Sequence, residues 1–157
     1  MPVQIDNQAS PTPTPSVAAS PKPSPTKSPT TGAASSTRTT KFVFPVAGRV
    51  SYAHVHHDYP ATDIMAKCGS EVRAATSGVV LSVTRVDKWK ASVNAGATRG
   101  GLSVSIKGDD GVRYYGSHLE AISKNIEPGV RVAAGQELGK VGETGDASAC
   151  HLHFGIS

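Results

Sequence analysis

Beyond Lys41 the hydrophobic positions fall mostly two apart, in short runs separated by glycine, proline and aspartate. A period of two sends successive side chains to opposite faces, so each run predicts a short β-strand with one face turned inward. Residues 41–46 open with an apolar strand cut by Pro45, and residues 48–52 form a second short one. Residues 53–64 carry histidines and aspartates around a proline turn, and 66–70 turn again. Residues 71–74 alternate, 76–78 turn, and 79–86 make a long strand. Residues 87–101 have no clean period and read as a surface loop. Residues 102–106 alternate, Asp109-Asp110-Gly111 is a hairpin signal, and 112–119 return, ending on His118-Leu119. Residues 121–125 suggest one helical turn. Short valine strands between Pro128 and Gly145 are punctuated by glycine turns. The last run, Cys150-His151-Leu152-His153-Phe154-Gly155-Ile156, puts Leu152, Phe154 and Ile156 on one face and His151 and His153 on the other. With no helix of useful length, the expected fold is all-β: an antiparallel sheet or sandwich, barrel-like in its packing, with a groove.

Composition changes the picture at the N-terminal end. Seven of the eleven prolines lie between Pro11 and Pro29, among serine, threonine and alanine. Such a stretch has too little apolar surface to offset the entropy of ordering it, so residues 1–40 are expected to be a disordered, partly polyproline linker. Residues 41–157 form a single domain large enough for a core. The net charge of +4 is spread, with Lys22, Lys27 and Arg38 in the linker and Arg73, Arg85, Lys88, Lys90 and Arg99 in the domain. No basic run is interleaved with aromatics, which argues against nucleic acid. The weak positive balance suits an anionic polymer such as a cell wall, and solubility explains it equally well. No apolar stretch has the length of a membrane helix. Met1-Pro2-Val3-Gln4 lacks the basic and apolar regions of a signal peptide, so an export or anchor segment is expected upstream.

The candidate chemistry is carried by histidine. All six histidines fall in three clusters: His54, His56 and His57; His118; and His151 and His153. An H-x-H strand alone is also what an ordinary solvated strand face looks like; the clustering is what points to a site. A catalytic zinc takes three protein ligands from His and Asp/Glu and keeps a position for water. Asp63 with His57 or His56 supplies a carboxylate and an imidazole, and His153 a third donor. His118 and His151 then remain for proton transfer and oxyanion stabilisation. No H-E-x-x-H helix is present, which excludes a thermolysin-type site, and Ser117 lacks the glycine elbow of a serine nucleophile. Trp89 fits either loop packing or a substrate platform. Of the alternating Tyr114 and Tyr115, one is expected in the core and one at the groove.

Cys68 and Cys150 are the only cysteines, and no C-x-x-C knuckle exists. Each lies close to a histidine cluster, so if the clusters meet the sulfurs do too. A disulfide there would stabilise by roughly 4 kcal/mol in the chain-entropy model. It implies an oxidising, extracytoplasmic location. A third metal ligand or two unpaired thiols are the alternatives.

The motifs, taken in order, resemble the LytM/lysostaphin-type zinc metalloendopeptidases of peptidoglycan. They are His57-Asp58-Tyr59-Pro60-Ala61-Thr62-Asp63-Ile64, Gly69-Ser70-Glu71-Val72-Arg73-Ala74, Ser77-Gly78-Val79-Val80, Asp110-Gly111 with Tyr115-Gly116-Ser117-His118-Leu119, Gly129-Val130-Arg131-Val132, Gly135-Gln136, and Gly145 through His151-Leu152-His153-Phe154. They span nearly all of residues 42–157. The resemblance implies one zinc per domain, held by His57, Asp63 and His153, with His118 and His151 as the catalytic histidines. It also implies a β-rich fold with a groove, related to barrel-sandwich hybrids, that cuts stem or cross-bridge peptides of bacterial peptidoglycan. The commoner family spacing is H-x-x-x-D, whereas His57 and Asp63 are six apart here, so His56 competes for the ligand role. The family also usually continues past the H-x-H strand.

The expectation is thus an exported, monomeric zinc endopeptidase acting at the cell wall or envelope. The alternative is an inactive relative that binds wall or activates another hydrolase; it should lack ligands, yet every family position is filled. Which bond is cut should depend on loops such as 87–101.

Overall fold

The structure, a computed structural model, describes residues 41–52 and 59–157. The expected linker 1–40 lies outside the described residues, as do residues 53–58 with His54, His56, His57 and Asp58.

Among the described residues nine strands follow one another: β1 (Ser51–Tyr52), β2 (Ala61–Met65), β3 (Glu71–Arg73), β4 (Gly78–Thr84), β5 (Leu102–Gly108), β6 (Arg113–Ile122), β7 (Arg131–Val132), β8 (Glu137–Val141) and β9 (His151–Ile156). Among the described residues the only helical element is a single 3-10 turn, Gly96–Thr98. Neighbouring strands pair antiparallel in the order β1-β2-β9-β6-β5-β4-β7, with β8 joined to both β3 and β6. The sheet is not closed. The all-β antiparallel class expected from the alternation is what forms.

The alternating apolar positions meet in one core. Ile64, Leu119, Ile126, Val141 and Leu152 are fully buried there with Val80. Each such side chain taken out of water contributes about 1.5–3 kcal/mol. Ile64 and Leu152 are direct cross-strand partners of β2 and β9. They fasten the inner face of those strands, so the residues alternating with them are turned to the other face.

Three local expectations change. Residues 41–46 do not form a ladder strand, and only Val46 bridges to Val72. The chain still runs beside β3, with Val43 N–H on the Ala75 carbonyl (2.8 Å) and Arg73 N–H on the Pro45 carbonyl (2.8 Å). Pro45 has no N–H to return, and that gap breaks the ladder. The helical turn expected at 121–125 is absent. β6 runs on to Ile122 because Ala121 and Ile122 pair with Lys140 and Gly139 of β8. Beyond it Arg85 donates to the carbonyls of Ile122 (3.0 Å), Ser123 (3.1 Å) and Ile126 (2.7 Å), which holds an irregular turn. His118, finally, does not end a strand but sits inside β6.

β6 changes partner along its length. Tyr114 to Ser117 pair with β9, whereas Leu119 to Ile122 pair with β8. At the switch the β5 register shifts, with Leu102 opposite Leu119 but Val104 opposite Gly116. His118 takes φ 64° there. The β-bulge at this point places the histidine.

Candidate active site

Register brings the first group of side chains together. On β2 and β9, Asp63 faces His153 and Met65 faces His151, while Ser117 of β6 flanks His153 from the other side. Strand alternation then puts Asp63, His151 and His153 on the face opposite Ile64 and Leu152. The two histidines share one face, as the H-x-H spacing requires.

His118 arrives by a different route. In a regular strand Ser117 and His118 would face opposite ways. With φ 64° at His118 both line the same groove. A non-glycine residue in this region costs on the order of 1–3 kcal/mol and needs its surroundings to hold it. The groove holds Asp63, His118, His151 and His153, with Tyr59, Arg99, Tyr115, Asp146 and Ser148 around them. The His118 ring lies 4.6 Å from that of His151 and 6.1 Å from that of His153, centroid to centroid.

The hydrogen bonds settle two tautomers. A carbonyl only accepts, so a ring nitrogen bonded to one carries the proton. His118 donates from Nδ1 to the Thr144 carbonyl (2.7 Å), and His151 donates from Nδ1 to the Ala149 carbonyl (2.8 Å). In the neutral rings Nε2 is therefore the lone-pair nitrogen. His151 Nε2 lies 3.8 Å from Asp63 Oδ1. Burial holds the pKa of His118 below its ordinary value, and the neighbouring His151 and His153 act in the same direction while the Thr144 carbonyl opposes.

His153 is arranged differently. Its Nδ1 lies 2.8 Å from Asp63 Oδ1 and its Nε2 3.1 Å from the Tyr59 hydroxyl. A hydroxyl both donates and accepts, so Tyr59 matches either tautomer of this ring. With a cation on Nδ1, Nε2–H donates to Tyr59, the kind of support that metal-ligating histidines commonly have. One carboxylate oxygen beside an imidazole nitrogen, 2.8 Å apart, is a donor pair of the chemistry that suits zinc. Among the described residues no third ligand completes a metal cluster; the expected one, His57, lies outside them.

Cys68 and Cys150 are joined in a disulfide, with Cα atoms 5.3 Å apart and a sequence separation of 82. It ties the turn after β2 to the residue just before His151. Of the two tyrosines, Tyr114 is buried and Tyr115 lines the groove. Trp89 is half-buried, with the Arg99 guanidinium 5.8 Å from its ring.

The loop 87–101 and the segment 143–149 are interlocked at the groove rim. Asp87 accepts from Trp89 N–H (2.9 Å) and from Gly145 N–H (2.8 Å), while Asp146 N–H donates to the Arg99 carbonyl (2.7 Å). Sequence reasoning missed Tyr59, Thr144 and Asp146. Their only visible signal was position, beside Asp63 for the first and in the glycine-marked turn before His151 for the others.

The sequence model of Peptidase family M23 matches residues 57–157. Glycyl-glycine endopeptidase ALE-1 of Staphylococcus capitis is 36% identical over 95 residues, covering 59% of this chain but only 22% of the relative, so the chain spans about a fifth of that protein. Among solved structures, the catalytic domain of the antimicrobial peptidase lysostaphin from Staphylococcus simulans is similar, with a TM-score of 0.54, 26% identity, and coverage of 67% of this chain and 77% of that one. A zinc containing peptidase from Vibrio cholerae matches with a TM-score of 0.50 and 25% identity, over 61% of this chain and 26% of that one. With the family pattern matched from residue 57 to 157 and the sheet shared with its solved members, the chain belongs to peptidase family M23.

Proposed function

We propose that the domain is a zinc-dependent endopeptidase that hydrolyses peptide bonds in bacterial peptidoglycan. The observation that carries the reading is the convergence of Asp63, His118, His151 and His153 in one groove, with the Nδ1 proton of both His118 and His151 committed to a carbonyl. In this reading Asp63 and His153 hold the metal together with His57. Zinc, when bound, supplies positive charge that acidifies water and polarises the scissile carbonyl. The chain's own residues do the rest. Nε2 of His118 or His151 accepts a proton from the attacking water, and the resulting imidazolium N–H then donates to the developing oxyanion or to the leaving amine. The bound rings do not need to turn for this, since Thr144 and Ala149 fix them.

Membership of the family, and likeness to the glycyl-glycine endopeptidase of Staphylococcus capitis, support a wall peptide as substrate. The disulfide fits an extracytoplasmic place of work. We take the domain to act as a monomer, with residues 1–40 as a spacer before it. The test is digestion of purified peptidoglycan, scored by new amino groups, in protein stripped with a chelator and in protein re-supplied with zinc. Activity should vanish and return. Undiminished release of amines after confirmed metal loss would overturn the mechanism.

A further inference from the structure

We propose that Thr144 is a positioning residue for His118, acting through the tautomer of that ring. The inference rests on the reading of His118 as a proton-transfer group. Thr144 makes three bonds, two to β6 and one to β5. Its carbonyl accepts His118 Nδ1–H at 2.7 Å. Its hydroxyl donates to the Leu119 carbonyl at 2.8 Å and accepts from Leu102 N–H at 3.0 Å.

Leu102 and Leu119 are direct partners in the β5–β6 register. One side-chain hydroxyl therefore links both strands beside the bulge, where the ladder is already broken next to His118. The same hydroxyl holds the Thr144 backbone in place, and the Thr144 backbone carries the acceptor for Nδ1–H. The following residue, Gly145, is held by Asp87. The carbonyl is thus fixed by its own side chain and by the loop behind it.

A carbonyl held at this distance makes Nδ1–H the favoured tautomer and leaves Nε2 as the proton acceptor. Without the hydroxyl the carbonyl drifts, and the proton redistributes between the two ring nitrogens. In the wrong tautomer the nitrogen at the groove is a donor and does not take a proton from water.

The test uses the full zinc-loaded chain and the variants Thr144→Val and Thr144→Ser. At about pH 8, above the ordinary imidazole pKa, ring nitrogen chemical shifts report the tautomer directly. Wild type and Thr144→Ser should show His118 protonated at Nδ1, and Thr144→Val should show a mixture. Zinc content should be unchanged in all three. On purified peptidoglycan, Thr144→Val should lose about 10-fold or more in kcat with KM nearly unchanged, and Thr144→Ser should retain most of it. The proposal is overturned if Thr144→Val keeps the wild-type ring shifts, or if Thr144→Ser falls as far as Thr144→Val, which would point to the methyl group. Should the valine variant not fold, Thr144→Ala carries the same readouts. Were wild type itself inactive on the wall, the functional reading would fail while the ring shifts would still decide this inference.

Discussion

Replacing Gly145 by alanine should open the interlock at the groove rim, and the cost can be worked out from its surroundings. Gly145 has φ 74°, and a β-carbon there would lie 2.5 Å from the Gly101 nitrogen and collide with the Arg99 carbonyl oxygen. All of these are backbone atoms and cannot swing away. Strain of the left-handed backbone is worth about 1–2 kcal/mol. The clash removes the Gly145–Asp87 and Asp146–Arg99 bonds, at about 1 kcal/mol each. The total is about 3–4 kcal/mol. Gly111 provides the control, with φ 84° and nothing within 4 Å of the added carbon. Gly111→Ala carries the same backbone strain alone, so about 1–2 kcal/mol. Urea denaturation of both variants should therefore separate them by about 2 kcal/mol at unchanged m-value. Equal destabilisation of the two would refute the description of the rim as closed around Gly145.

Three further outcomes follow from the site. His153→Ala should lose zinc and activity together, whereas His118→Ala and His151→Ala should keep zinc and lose about 10²-fold in rate; metal analysis beside a wall-digestion assay distinguishes them, and metal loss from His151→Ala with retention in His153→Ala would reverse the roles. Alkylation without reductant should label no thiol, and Cys68→Ser with Cys150→Ser should lower unfolding free energy by about 4 kcal/mol in the chain-entropy model. In chelator-treated protein His118 adds a pH dependence of known sign. Burial holds its folded pKa below the ordinary imidazole value, so as pH falls through that ordinary value the unfolded chain takes up the proton first and stability drops until the folded pKa is passed. His118→Gln should flatten that part of a stability–pH curve.

The sequence made the histidine face of β9 readable because that strand is regular: alternation alone puts His151 and His153 together and buries Leu152 behind them. Asp63 was found by residue type, and the strand that sets it opposite His153, Ala61–Met65, was not read from the sequence. His118 was found by residue type and not by geometry. Alternation assumes an unbroken strand, and the bulge that brings both Ser117 and His118 to the groove has no local sequence mark. The Pro45 run misled in the opposite way, since its apolar pattern is that of a strand and only the missing donor breaks it. The helical turn at 121–125 lost to pairing with β8, a partner distant in sequence. The rim contacts among Asp87, Arg99, Thr144 and Gly145 bridge loops without periodicity, and no pattern along the chain encodes such contacts.

The place of β9 in the sheet has a bearing on how the protein is made. β9 follows all the other strands in chain order, yet it lies between β2 and β6 and carries two of the histidines. Until it inserts, β2 and β6 each present an edge with unpaired amides, and half of the groove does not exist. A chain emerging from a ribosome therefore has no complete groove until β9 has followed β2 and β6. During that interval it displays two open edges to which other strands can add. Completion of the groove is thus timed by topology, and an escort that shields those edges during folding would act on yield and leave the finished fold unchanged.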